Sequence, residues 1–258
     1  VTGREAGLPE LTPEVLAEPG ARIRAVLDDI FGPLALVGAA FATQRRSCRA
    51  AGDELTADRL SGLRGIIWQQ LGQLPAADGV GIVAAPGVVA GRDRHLEWWQ
   101  RTGSGESGTD GYARIRLNLD PESIDLYDYL EMDWFTVPRR EGRRYVYGPY
   151  IDFSGADRHV LTMTLPVLDD GQFLGVAGTD IRMSHLEPEL LVILRSVAVP
   201  AVLVNAERRV VAANTARWIA GTRVPRLPAA GDGEFDAVTE IGADSGWRLA
   251  AAAPAPGF

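Results

Sequence analysis

Tyr150 and Asp152 stand two residues apart in the segment Tyr145–Phe153, so an extended chain presents both side chains on one face. Asp180 lies between Gly178 and Ile181 in the apolar run Gln172–Ile181, and a carboxylate on a buried strand needs a partner. Two carboxylates facing one pocket raise one another's pKa, so one is neutralised or a cation sits between them. The chemistry open to such a pair is capture of an ammonium or guanidinium group, or acid–base work with His159 assisting. The plainer reading of each is a strand-end residue capping a turn, and of Trp134 and Tyr150 a core aromatic.

The composition removes several other chemistries. All 26 basic side chains of the 258-residue chain are arginine, against 34 acidic ones, for a formal net charge of −8. Without lysine there is no Schiff base, no P-loop lysine and no Ser–Lys dyad, and arginine cannot serve as a tunable base. An acidic chain is a poor partner for nucleic acid. The single Cys48 allows no internal disulfide and no cysteine zinc site. His95, His159 and His185 lack a metal-ligand spacing, so no metal and no cofactor is expected. Gly103–Gly108 spells GxGxxG, but it follows a Trp-rich segment and precedes a strand, the wrong context for a dinucleotide. No apolar run is read as approaching the roughly 18 residues of a membrane helix.

The elements that must position these groups follow from periodicity. Residues 1–11 read as loose, with Thr12 as N-cap and Pro13 as first helical residue. Ile23, Val26, Leu27 and Ile30 form one helix face, Gly32-Pro33 predicts a kink or break, and Leu34, Val37 and Phe41 resume the face. Leu60, Leu63, Ile67 and Leu71 mark a second helical segment before Pro75. The period then changes from 3.6 to 2. Val80–Val83, Val88–Ala90, Ala113–Leu119, Tyr145–Phe153, Val160–Leu168 and Gln172–Ile181 read as strands, with Asp169-Asp170-Gly171 a tight hairpin turn. Trp98-Trp99 reads as a packing pair in a helical or loop stretch. Leu186–Val197 is a connecting helix. Strands at Ala201–Val204, Val210–Ala213, Phe235–Ile241 and Trp247–Ala253, with a short helix at Thr215–Ala220, complete a smaller sheet before a disordered tail. The fold class is therefore α+β. Its domains are a helical segment 1–75, a larger distal module 76–185, a connecting helix 186–198 and a smaller proximal module 199–258.

The order Tyr127-Asp128-Tyr129, Asp133-Trp134-Phe135, Tyr147-Gly148-Pro149-Tyr150-Ile151-Asp152, Pro166-Val167 and Gly175-Val176-Ala177-Gly178-Thr179-Asp180-Ile181 resembles the membrane-distal half of double Cache (dCache) sensor domains of the PAS-like superfamily. The resemblance implies a long N-terminal helix followed by two PAS-like antiparallel-sheet modules. In amino-acid-binding relatives the matching positions hold the ligand's ammonium group, which here implies Trp134, Phe135, Tyr150, Asp152 and Asp180. Tyr129 and Thr162 join them as site candidates, with Tyr127 or Tyr129 at the entrance. Where relatives place an arginine for the ligand carboxylate, this chain has Met132, and Phe135 replaces a tyrosine.

Met132 offers a carboxylate no donor, whereas aromatic walls add roughly 0.5–2 kcal/mol per cation contact. The expectation is a sensor, not an enzyme, for a cationic amine-type metabolite. One alternative is an amino acid whose carboxylate meets Arg114 or Arg116; another is a small hydrolase or lyase using Asp152 and Asp180. A sensor of this kind needs a signalling partner or an output domain outside this chain, and the N-terminal helix could form a homodimer. With no anchor read in the sequence, the chain is expected to be soluble, cytoplasmic in preference to an extracytoplasmic sensor fragment.

Overall fold

The computed structural model describes residues 13–102, 110–152 and 158–252. It has two compact units, one of residues 26–186 and one of residues 1–25 with 187–258. The expectations for residues 1–11, Thr12, Gly103–Gly108 and the tail lie outside the described residues.

A 3-10 turn, Pro13–Leu16, leads into helix α1, Ala17–Ala51, which runs unbroken through Pro33. The predicted break does not occur. An interior proline costs about 3 kcal/mol. Burying Ile30, Leu34, Val37 and Phe41 on either side of it contributes about 1.5–3 kcal/mol each, which outweighs that cost. By length and composition the stretch Glu14–Ala51 could cross a membrane, which corrects the sequence reading, yet 44% of its most apolar window is buried in protein. Helices α2, Ala57–Ser61, and α3, Arg64–Gln73, follow, with Leu60, Leu63, Ile67 and Leu71 buried as their spacing predicts.

The larger unit is built on a six-stranded antiparallel sheet. Its strands are β1, Ala77–Ala84, β2, His95–Arg101, β3, Tyr112–Arg114, β4, Tyr145–Asp152, β5, Arg158–Asp169, and β6, Gln172–Arg182, in the order β3-β2-β1-β6-β5-β4. Helix α4, Asp133–Glu141, lies between β3 and β4 in sequence. Trp98 and Trp99 are on β2, not in a helix or loop, and Val88–Ala90 forms a turn. Of the alternating run Ala113–Leu119, only Ala113 and Arg114 belong to a strand. The hairpin after β5 is as predicted, with Asp170 at φ 48° and Gly171 at φ 78°, the two left-handed positions of a type I′ turn. Arg46 reaches Asp169 at 3.3 Å and Arg49 reaches Asp170 at 2.6 Å, tying the turn to the last turns of α1. Gly38 makes that approach possible, since a Cβ there would meet Val167 at 3.1 Å and Leu165 at 3.3 Å.

The smaller unit holds the end of α5, Met183–Leu194, and a four-stranded sheet. Its strands, β7, Ala201–Val204, β8, Val210–Ala213, β9, Ala237–Glu240, and β10, Arg248–Ala251, take the order β8-β7-β10-β9. Trp218 stacks on Phe235 at 5.6 Å over a core of Val202, Val204 and Val210. The short helix expected at Thr215–Ala220 is absent, and that segment is a turn. The loop 205–209 turns on Asn205, whose Oδ1 accepts the Arg209 N–H at 2.7 Å. Helix α6, Gly242–Ser245, joins β9 to β10.

Candidate ligand-binding site

The register of the large sheet sets two rows of residues across one face. Gln100, Gly79, Asp180 and Thr162 are paired in one row, and Trp98, Gly81, Gly178 and Thr164 in the next. Directly paired residues share a face, and rows two residues apart repeat it. Three of the eight positions are glycine, so the face is hollow in the middle. The Trp98 indole occupies part of that hollow. A Cβ at Gly79 would clash with its Nε1, one at Gly81 would lie 3.0 Å from its Cε3, and one at Gly178 would lie 3.4 Å from its Cη2.

Helix α4 roofs this face. It closes on Gly142, left-handed at φ 64°, and its first turn is pinned by Thr164, whose Oγ1 donates to the Trp134 carbonyl at 2.7 Å. Successive helical residues point about 100° apart. Trp134 therefore turns to the hollow, while Phe135 packs on Phe173 at 5.6 Å and Tyr129 at 5.1 Å.

The resulting cavity, about 50 Å³, is lined by Val83, Leu96, Trp98, Gln100, Ile115, Leu117, Tyr127, Trp134, Tyr150, Thr162 and Asp180. Its polar centre is a chain of hydroxyls. Thr162 Oγ1 donates to Asp180 Oδ1 at 2.7 Å, and Tyr150 Oη lies 2.8 Å from Thr162 Oγ1. A threonine has one proton to give and an ionised carboxylate can only accept. Tyr150 is therefore the donor to Thr162, and the chain runs Tyr150 to Thr162 to Asp180.

Trp134, Tyr150, Thr162 and Asp180 are thus brought together as the sequence suggests, and Tyr127 joins them. Three other candidates are placed elsewhere. Phe135 is fully buried in the core behind the cavity. Tyr129 is fully buried too; its hydroxyl donates to the Ala84 carbonyl at 2.8 Å and accepts the His95 N–H at 3.1 Å, and burial pushes it above the usual tyrosine range. Met132 precedes α4 and is 38% exposed. Asp152 ends β4, but its side chain lies outside the described residues. His159 is exposed and an odd number of residues from Thr162 along β5, hence on the opposite face from Asp180.

Arg114 and Arg116 do not reach the cavity. They line a neighbouring cleft that shares Leu96, Ile115 and Leu117 with it. Arg114 there holds the buried Glu97 at 3.0 Å and donates to the Leu96 carbonyl at 3.0 Å. The sequence reading missed Trp98 as a wall. The usable signal was the alternation Gly79-Val80-Gly81-Ile82, which strips side chains from one face of β1 and leaves room for an indole from its neighbour. Among the described residues, no group of three His, Cys, Asp or Glu side chains could hold a metal.

Residues 73–188 match the family described as methyl-accepting chemotaxis protein-like, first PDC sensor domain. No curated protein matches the chain. Among solved structures, it resembles the sensory domain of the Campylobacter jejuni chemoreceptor Tlp3 with isoleucine bound, at 13% identity and a TM-score of 0.59, covering 94% of this chain and 91% of that one. It also resembles the ligand-binding domain of the Pseudomonas aeruginosa PAO1 amino acid chemoreceptor PctC in complex with GABA, at 17% identity and a TM-score of 0.56, covering 93% and 97%. The extracellular domain of the putative histidine kinase mmHK1S-Z3 matches at 15% identity and a TM-score of 0.53, covering 80% and 70%. At these identities the likeness is one of fold.

Proposed function

We propose that the chain is a sensor of the double Cache type, that the Asp180 cavity binds the ammonium group of a small amino acid and that binding is signalled to a partner. The observation that carries this reading is the hydroxyl chain ending on Asp180 beneath aromatic walls. The Asp180 carboxylate, oriented by the Thr162 hydroxyl, is a partner for an ammonium group, and the lining residues Trp98, Trp134, Tyr127 and Tyr150 supply aromatic rings that attract a cation. The ligand's own carboxylate falls to Gln100 and Tyr127, the polar lining residues outside the hydroxyl chain.

Amino acids and GABA bound to proteins of this fold support that class over a simple amine. An amine with no carboxylate is the second reading, favoured by the want of any arginine among the cavity's lining residues. Catalysis by Asp180 with His159 loses support from the opposite-face placement of His159. At about 50 Å³ the cavity is well below the roughly 300–1,000 Å³ of typical ligand pockets, which favours the smallest amino acids. Output through a partner, including a homodimer formed along α1, belongs to the same proposal.

A thermal-shift series of glycine, alanine, GABA and isoleucine against ethylamine and choline tests it. Amino acids should raise the melting temperature, and the shift should vanish in Asp180→Asn. No stabilisation by any of the series would sink the ammonium reading, and stabilisation only by the amines would replace the amino acid with the second reading.

A further inference from the structure

A second cleft lies beside the Asp180 cavity. About 1120 Å³ in volume, it opens between α2 and the β2–β3 edge. Four arginines line it: Arg92, Arg94, Arg114 and Arg116. Two are committed to the fold, Arg94 to Asp128 at 3.0 Å and Arg114 to Glu97 at 3.0 Å. Arg92 and Arg116 are exposed and have no ion pair among the described residues.

His95 lines the same cleft. It is 6% exposed, and its Nε2 has no hydrogen-bond partner among the described residues. Burial, then Arg114 and Arg92, hold its pKa down to about 4, so the imidazole is neutral at pH 7. Asp58, Asp93 and Asp120 also line the cleft. Arg114 and Arg92 are the charges that lower the His95 pKa, and the buried Nε2 lines their end of the cleft with its hydrogen bond unmet among the described residues.

We propose that the His95 end of this cleft is a second binding site, taking an organic anion whose carboxylate is held by Arg92 and Arg116 and whose apolar body lies against Leu96, Ile115 and Trp99. Guanidinium forks match a carboxylate with paired, charge-assisted hydrogen bonds. The apolar lining residues give a hydrocarbon body somewhere to leave water. This site shares Leu96, Ile115 and Leu117 with the Asp180 cavity but none of that cavity's hydroxyl chain.

The test uses benzoate as the anionic probe and benzamide as its neutral counterpart, at constant ionic strength, read by NMR of the histidine imidazoles. Benzoate should give a saturable shift of the His95 signal and raise its pKa toward the ordinary value, because the anion offsets the arginine field. The groups facing His95 in that titration are Arg92, Asp93 and Arg94 before it, Glu97 on its strand, Arg114 and Arg116 on the next segment, and Asp58 on α2. Arg92→Ala with Arg116→Ala should weaken binding at least tenfold; both residues are exposed and have no ion pair among the described residues, so the fold is retained. Asp180→Asn should leave it unchanged. An equal response to benzamide, no saturable shift, or a shift that survives the double arginine variant would overturn the proposal. Loss of the benzoate shift in Asp180→Asn would do so too, by assigning it to the other cavity.

Discussion

Thr162 and Asp180 face each other in direct register across β5 and β6, and the threonine hydroxyl donates to the aspartate at 2.7 Å. Thr162→Val keeps the shape of the side chain and removes the link. It deprives Asp180 of one donor and Tyr150 of its acceptor, so two bonds fail for one substitution. A hydrogen bond to a charged group contributes about 1.5–3 kcal/mol, which sets the expected loss of affinity at ten- to a hundredfold. Calorimetric titration with alanine and GABA would show it, and unchanged affinity would remove the hydroxyl chain from recognition.

Gly79→Ala tests the seat of Trp98. The new methyl group clashes with the indole Nε1, so the ring moves into the cavity. Overpacking of this kind costs about 1–3 kcal/mol, less than a domain's typical stability. The variant should stay folded by circular dichroism while losing its amino-acid thermal shift.

Arg114 and Arg116 should separate cleanly in a stability experiment. Glu97 is fully buried and relies on Arg114 and on the Trp99 Nε1–H at 2.8 Å. Arg114→Ala strands a buried carboxylate, a loss of about 3 kcal/mol in urea unfolding. Adding Glu97→Gln should recover much of it. Arg116→Ala, exposed and without an ion pair, should fall within about 0.5 kcal/mol of the parent.

His95 gives the pH dependence a sign. Its folded pKa, about 4, lies below the unfolded 6.5, so between those values the unfolded chain binds more protons. Stability contributed by the neutral imidazole is present above pH 6.5 and is lost as pH falls toward 4. His95→Gln should flatten the stability profile between pH 5 and 6.5, a window above most carboxylates. An unaltered slope would place the titration elsewhere.

How much of this was legible in the sequence depends on where each signal resides. Val160–Leu168 and Gln172–Ile181 were readable because alternation and the Asp-Asp-Gly turn are local. The pairing of Thr162 with Asp180 then follows from the hairpin register. Pro33 misled because its cost is local, whereas the burial that outweighs it is tertiary. Trp98 was invisible as a cavity wall because its place is made by glycines on two other strands. Phe135 and Tyr129 carried the right pattern but point away, Phe135 because it follows Trp134 on one helix and Tyr129 because its hydroxyl is held between the Ala84 carbonyl and the His95 N–H. The arginine cleft joins α2 to residues within 91–99 and 112–121, a relation no single segment encodes.

The glycines at 79, 81 and 178 also decide how the cavity can change over evolutionary time. A floor made of backbone and a fitted indole constrains side-chain changes, because each added carbon meets backbone or displaces a packed side chain. Diversity in ligand choice is therefore channelled to the opposite wall, where Ile115, Leu117, Tyr127 and Trp134 come from a loop and a helix. The sheet side of the cavity is thus set by steric fit, whereas the loop and helix side is set by side chains that such a fit does not confine.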